Sequence, residues 1–302
     1  MQPIFNHLDS NVVPSRVVVL GRSGFIANHL VGELERNGLA VEPVSRTKID
    51  LTQPSSMPAL TSFLQENDVV IITAALTPDK GRDFRTLVKN IRMAEHLCEA
   101  FDRSRCAHVI YLSSDAVYTG DEPVLDETSK RQPTDLYALM HTSREMMLGS
   151  VLGPRGIAYC ILRPCAVFGP GDTHNSYGPN RFIRSALGEG SITLFGEGGD
   201  TRDHVYVQDL IRVIHLVMRH RTVGTLNVTS GHAVSFLALA GIVARVVGGD
   251  VRIQSSPQAS AVTRRHFGHA IFDRAFPNFS FTPIELGITE TVAAIRQQRA
   301  AS

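Results

Sequence analysis

The residues best placed to do chemistry begin with a glycine turn. Gly21-Arg22-Ser23-Gly24-Phe25-Ile26-Ala27 directly follows the apolar run Arg-Val-Val-Val-Leu at 16–20 and opens an amphipathic stretch. Glycines between a strand and a helix let the backbone turn sharply and approach a pyrophosphate, while the helix amino terminus offers unpaired N–H groups and a partial positive charge. In this strand–turn–helix setting the spacing points to a dinucleotide. Ala27 stands where a third glycine is usual, and its one methyl fits at a helix–sheet contact. The alternative is a tight turn that holds no ligand. At the end of a second strand an acidic residue would bond the ribose hydroxyls of NAD, whereas arginine suits the extra phosphate of NADP. This chain has Ser45-Arg46 there, and Arg22 adds a second guanidinium. NADP(H) is therefore favoured over NAD(H), the cofactor class being NAD(P). Otherwise Arg46 is a solvated loop residue.

Other chemistries find less support. The four cysteines, Cys98, Cys106, Cys160 and Cys165, show no Cys-x-x-Cys spacing. Three lie in or beside apolar runs and read as buried thiols in a reducing compartment. None of the twelve histidines forms a His-x-x-x-His or His-Glu-x-x-His pair, so no metal is expected. A formal net charge of +1 gives no reason to expect nucleic acid or an anionic membrane as partner. The 302 residues, 43% hydrophobic and 20% charged, can bury one large core or two modest ones. No apolar run approaches the ~20 residues that cross a bilayer. Residues 1–11 carry no basic cluster followed by an apolar stretch, and a cytoplasmic location is expected.

These residues need a frame to hold them. Short apolar runs at 16–20, 40–45, 68–73, 108–112 and 157–163 alternate with helical patterns at about 24–37, 55–66, 84–101 and 134–152. This βα alternation predicts an α/β fold, a doubly wound parallel (Rossmann) sheet, and 225–229 reads as a further short strand. From Phe168 to Gly199 glycine and proline crowd in and regular alternation is not expected. Residues 205–220 read as helical, as do 236–247 and 285–299. The expected organisation is a dinucleotide-binding domain over 12–170, with 203–230 returning to pack on it. A smaller substrate-binding lobe is made of 171–202 and 231–302.

Three further segments carry a resemblance: Ser113-Ser114-Asp115-Ala116-Val117-Tyr118, Tyr137-Ala138-Leu139-Met140-His141, and Leu162-Arg163-Pro164-Cys165-Ala166-Val167-Phe168-Gly169-Pro170-Gly171. With the glycine turn, Gly196 to Asp203, Tyr206-Val207-Gln208-Asp209, Gly224 to Val228 and Phe281-Thr282-Pro283, the chain resembles the extended short-chain dehydrogenase/reductases. These form the NAD(P)-dependent epimerase/dehydratase family that remodels nucleotide sugars, and the resemblance spans nearly the whole chain. It implies that Tyr137 is the general acid/base and that Ser114 hydrogen-bonds the same substrate oxygen. A lysine four residues after the tyrosine, on the same helix face, ordinarily lowers the phenol's pKa and holds the nicotinamide ribose. Here that residue is His141, shorter and mostly neutral near its reference pKa of ~6.5. Taken without the surrounding motifs, Tyr137 and Ser114 would read as ordinary buried residues.

The resemblance also assigns cofactor contacts to Gly21, Arg22, Ser23, Gly24, Phe25, Ile26, Arg46, Asp50, Leu51, Ala74, Ala75 and Asn90, besides Tyr137 and His141. Substrate contacts fall to Ser114, Asp115, Asn175, Arg181 and Arg202, the last toward a nucleotide pyrophosphate or, alternatively, in a surface salt bridge with Asp200 or Asp203. Asp209 is expected to cap the helix around Leu210. Ala116 stands where 4,6-dehydratases carry a glutamate, which leaves 4-keto reduction or 4-epimerisation of a nucleotide sugar. The alternative is a catalytically impaired dinucleotide-binding regulator or subunit, because of His141. A third reading keeps the enzyme and changes the substrate to a sugar acid, lactone or small alcohol. A homodimer through a four-helix seam, built from the helices at 84–101 and 134–152, is a further implication.

Overall fold

The computed structural model describes residues 5–119, 122–175, 178–257 and 261–301. Its first half follows β1 (Phe5–His7), β2 (Arg16–Leu20), α1 (Phe25–Arg36), β3 (Val41–Val44), α2 (Ser56–Phe63), β4 (Asp68–Ile72), α3 (Phe84–Arg103), β5 (His108–Leu112), α4 (Leu136–Leu152) and β6 (Ala158–Pro164). The second half adds β7 (Ala166–Phe168), α5 (Pro179–Glu189), β8 (Ser191–Phe195), β9 (Thr201–Arg202), β10 (His204–Tyr206), α6 (Val207–Arg219), β11 (Thr222–Val228) and β12 (Val234–Ser235). After these come α7 (Phe236–Val247), β13 (Arg252–Ser256), α8 (Ala270–Ala275) and α9 (Ile284–Ala301).

Seven strands form the main sheet in the order β1-β11-β6-β5-β4-β2-β3. Six run parallel, and β1 closes one edge antiparallel to β11. The sheet is doubly wound because its strands are apolar on both faces. Val17, Val19, Val69 and Ile71 point into one buried cluster, whereas Val18, Leu20, Val70 and Ile72 point into the other. This is the period-2 alternation of a strand with both faces covered. Each fully buried valine or isoleucine contributes about 1.5–3 kcal/mol of transfer free energy. The chain leaves β2 for β3 on one side and returns to β4 on the other, so the order reverses between β2 and β4. In such sheets ligands bind in the crevice beyond the carboxyl ends of the strands at that reversal.

The remaining strands make three pairs outside the sheet, β10 with β7, β12 with β9 and β13 with β8, around which α5, α7 and α9 pack on one another. Two expectations are corrected here. The stretch from Phe168 to Gly199 contains a regular helix and strand: α5 buries Phe182, Ile183 and Ala186, opens with Pro179 and stops at Gly190 in the left-handed region (φ 62°). Proline just inside a helix start and glycine just past its end are boundary signals and not loop composition. Val205 belongs to β10, and the helix expected over 205–220 begins only at Val207. The edge strand β1 was not foreseen, since three residues carry no periodicity.

Candidate active site

Gly21 ends β2 with φ +105°, a conformation that side chains rarely adopt. A Cβ there would lie 2.7 Å from the backbone nitrogen of Ala74 and from Thr73 Oγ1. The turn thus presses against the end of β4 at the point where the strand order reverses. Gly24 precedes α1 with extended backbone and gives no side-chain cap, and the first turn carries no acidic residue. The N–H groups of the first turn, Phe25 and Ile26 among them, have no intrahelical acceptor by geometry. An uncapped helix end beside a cradle that only glycine fits suits a dinucleotide pyrophosphate. Ser23 is exposed, and Phe25 and Ile26 are half-buried against the core.

The other expected cofactor residues are placed less uniformly. Arg22 hydrogen-bonds Asn28 Oδ1 on α1. Arg46 donates from Nε to Asp50 Oδ2 at 3.0 Å with its side chain 74% exposed. Asp50 also accepts from Thr52 N and Oγ1, and its carboxyl is held below the usual range by Thr52 and Arg46, against partial desolvation. The Leu51 side chain lies in the core. Ala74 and Ala75 follow β4 and are half-exposed. Asn90 is buried and spends its amide on Leu76, accepting from N at 2.8 Å and donating to O at 2.9 Å. It fixes the loop after β4.

Ser114 follows β5 in extended backbone and accepts from Ala116 N at 3.1 Å, nucleating the short 3-10 turn Asp115–Val117. Tyr137 sits in the first turn of α4, whose start is set by Asp135 accepting from Ala138 N. The helix expected over 134–152 therefore spans 136–152. Burial pushes the Tyr137 phenol up to about 12, with the Ser114 hydroxyl and Arg144 pulling down and Asp115 and Asp135 pushing up. His141 lies one turn on, its ring 4.7 Å from that of Tyr137 in an edge-to-face contact. It is 2% exposed, and burial with the nearby Arg144 charge lowers its pKa to about 3, so the imidazole is neutral. Nδ1 pairs with the Tyr111 hydroxyl at 2.8 Å, whereas Nε2 is buried without a partner.

On the opposite side, Asp115 Oδ2 is held by Arg265 Nη1 at 3.1 Å, and Arg265 Nη2 also donates to Tyr118 O at 2.6 Å. Burial raises the Asp115 carboxyl while Arg265 and Arg202 lower it. Arg202 is half-buried and donates to Thr201 O and Thr263 Oγ1. Its charge interacts with those of Arg265 and Asp115, which places it in the same cluster. Asn175 lies ahead of α5 and Arg181 in its first turn, both exposed. Asn175, at φ 49°, accepts from Arg184, and Arg181 is exposed. A cleft of about 190 Å³ opens on Tyr137 and is lined also by Leu76, Pro78, Arg82, Asp83 and Met140.

Ser114, Asp115, Tyr137, His141 and Arg202 are thus gathered beyond the carboxyl ends of β5 and β6, next to the β4 loop. Sequence reasoning missed Tyr111, Arg144, Arg265 and the Arg82–Asp83 wall. Tyr111 read as one more apolar strand residue, and Arg265 lies where no motif was visible. Arg144 could have been found, because it stands seven residues after Tyr137 on the same helix face. Asp209 is also corrected: it lies inside α6 and accepts from Thr282 N and Oγ1 and from Arg212, stitching the carboxy-terminal segment to this helix.

Known proteins agree with this frame. The model of the NAD dependent epimerase/dehydratase family matches residues 17–229. Among relatives, dTDP-4-dehydro-6-deoxy-D-allose reductase from a Streptomyces species is 27% identical over 274 residues, covering 80% of this chain and 84% of that protein. GDP-L-fucose synthase from Sinorhizobium fredii is 26% identical over 265 residues, covering 80% and 83%. The solved structure of UDP-N-acetylglucosamine 4-epimerase from Methanobrevibacter ruminantium, in complex with UDP-N-acetylmuramic acid, superposes with a TM-score of 0.83. It is 25% identical, covering 95% of this chain and 100% of that one. The chain belongs to the NAD-dependent epimerase/dehydratase family.

Proposed function

We propose that this protein is an NADP(H)-dependent reductase of a 4-keto nucleotide sugar, with Tyr137 as proton donor and Ser114 as the second hydrogen bond to the substrate oxygen. The observation that carries the reading is the state of Tyr137. Its phenol is raised to about 12, and the residue one turn on, His141, is neutral. Reduction needs a protonated phenol, which this site holds ready at neutral pH. Epimerisation must first take a proton from an alcohol, which needs the phenolate.

NAD(P)H, when bound, supplies the hydride to the carbonyl carbon. Tyr137 passes its O–H proton to the carbonyl oxygen and recovers one from solvent. Ser114 positions that oxygen. Gly21 to Ile26 would hold the pyrophosphate, and Arg22 and Arg46 the phosphate of the adenosine ribose. The Arg46–Asp50 surface pair is worth only about 0–1 kcal/mol, so exchanging Asp50 for a phosphate is cheap. Arg202 and the lobe of 171–202 and 231–302 are assigned to the nucleotide sugar. Asp115, tied to Arg265 and followed by Ala116, is badly disposed for water elimination. The name of the Streptomyces relative, a reductase of a dTDP-4-dehydro sugar, is in line with this reading.

The test mixes purified protein with NADPH and a panel of 4-keto nucleotide sugars and follows loss of the reduced cofactor and gain of the alcohol. One alcohol per NADPH is expected. Interconversion of alcohols with no net NADPH use would replace the reductase by an epimerase. A second reading, a dinucleotide-binding regulator, is favoured by the closed surroundings of His141 Nε2. It predicts tight cofactor binding with no turnover on any member of the panel.

A further inference from the structure

Among the described residues Arg144 is the largest side chain wholly removed from solvent, at 0% exposure. A buried guanidinium is normally paired with a carboxylate. Among the described residues Arg144 has no such partner. Nη1 donates only to the Met140 sulfur at 3.9 Å, and Nε and Nη2 have no partner. By contrast Arg163, also buried, is held by Glu145 at 2.6 Å and by the Tyr118 hydroxyl at 2.7 Å. Among the described residues Arg144 is therefore a buried cation without a carboxylate partner, and it lies beside the reaction site.

Its surroundings are specific. Tyr137, His141 and Arg144 stand at i, i+4 and i+7 and share one face of α4. The Arg144 guanidinium lies 5.2 Å from the centre of the Tyr111 ring on β5. The Tyr111 hydroxyl meets His141 Nδ1, whose ring abuts Tyr137. With the Tyr111 hydroxyl donating to Nδ1, Nε2 carries the imidazole proton. The array runs cation, phenol, neutral imidazole, catalytic phenol. No titratable link in it except Arg144 bears a charge at neutral pH.

We propose that Arg144 is the positioning residue that places a positive charge behind Tyr137, acting on it across the buried Tyr111–His141 pair. The inference rests on the assignment of Tyr137 as proton donor. Around Tyr137, α4 contributes Asp135, His141 and Arg144; β5 and the segment after it contribute Tyr111, Ser114 and Asp115. Arg82 and Asp83 line the cleft ahead of α3. Asp115 and Asp135 favour the neutral phenol, and Arg144 opposes them from the dry side, where screening by water is weakest.

The test places 3,5-difluorotyrosine at position 137, whose electron-poor phenol titrates at lower pH, and follows it by fluorine NMR. It needs neither cofactor nor substrate, so its failure is separate from failure of the reductase assignment. Arg144→Met should move the titration to higher pH by about one unit, a tenfold loss of phenolate. Arg144→Lys should hold it near the parent value. The double variant His141→Lys with Arg144→Met should return it to the parent value or below. Because an unpaired buried charge costs stability, Arg144→Met should fold with an unchanged or higher Tm. An unmoved titration in the folded variant would overturn the proposal. So would collapse of the fold on Arg144→Met, which would make Arg144 a structural residue.

Discussion

At the scale of single residues, the site turns on what replaces a lysine. His141 contributes no charge, because burial and Arg144 hold its imidazole neutral down to about 3. With Tyr137 near 12, the pH dependence should differ by direction. Ketone reduction uses the protonated phenol and should be flat from about pH 6 to about pH 10. Alcohol oxidation uses the phenolate and should rise about tenfold per pH unit over the same range. Steady-state rates in both directions check this. Tyr137→Phe should cut reduction by about 10²–10⁴-fold with NADPH affinity kept, read by fluorescence titration alongside the rates. Arg46→Ala should weaken NADPH far more than NADH in the same titration, and equal losses would remove the case for NADP.

At the scale of elements, the β2–α1 turn is the feature most legible in the chain. Two glycines, an apolar run before them and a helical stripe after them mark a tight strand-to-helix turn, and Gly21 does press on Ala74. Gly21→Ala should therefore cost about 2–5 kcal/mol through backbone strain and overpacking. Gly190→Ala meets open space and should cost only about 1 kcal/mol. Urea midpoints compare the two. The central strands β2, β4, β5 and β6 were equally readable, because burial on both faces writes itself as an apolar run. The pairs β7–β10 and β9–β12 were not, since two or three residues carry no period. Tyr111 was hidden for a related reason: in a wholly buried strand a phenol that aims at an active helix looks like core.

At the scale of the molecule, acid should be its weakness. His108 is lowered to about 4 and His141 and His204 to about 3, all by burial. Unfolding lets each return to ~6.5 and take up a proton. Below about pH 6.5 the unfolded chain thus binds up to three more protons. Stability should fall by as much as about 4 kcal/mol per pH unit until pH nears the folded values, which thermal melts at stepped pH would show. We also propose a homodimer through α3 and α4, which pack together and expose Phe84, Val88, Leu139 and Met146. Val88→Glu with Met146→Glu should yield monomers in sedimentation. The enzyme proposed is a reductase whose tyrosine is kept protonated. Its most direct measurement is single-turnover reduction of a 4-keto nucleotide sugar with NADPH carrying deuterium on the transferring carbon. One deuterium should be delivered to C4 at a rate that does not rise between about pH 6 and about pH 9. No deuterium in the sugar despite bound cofactor, or a rate climbing tenfold per unit, would contradict it.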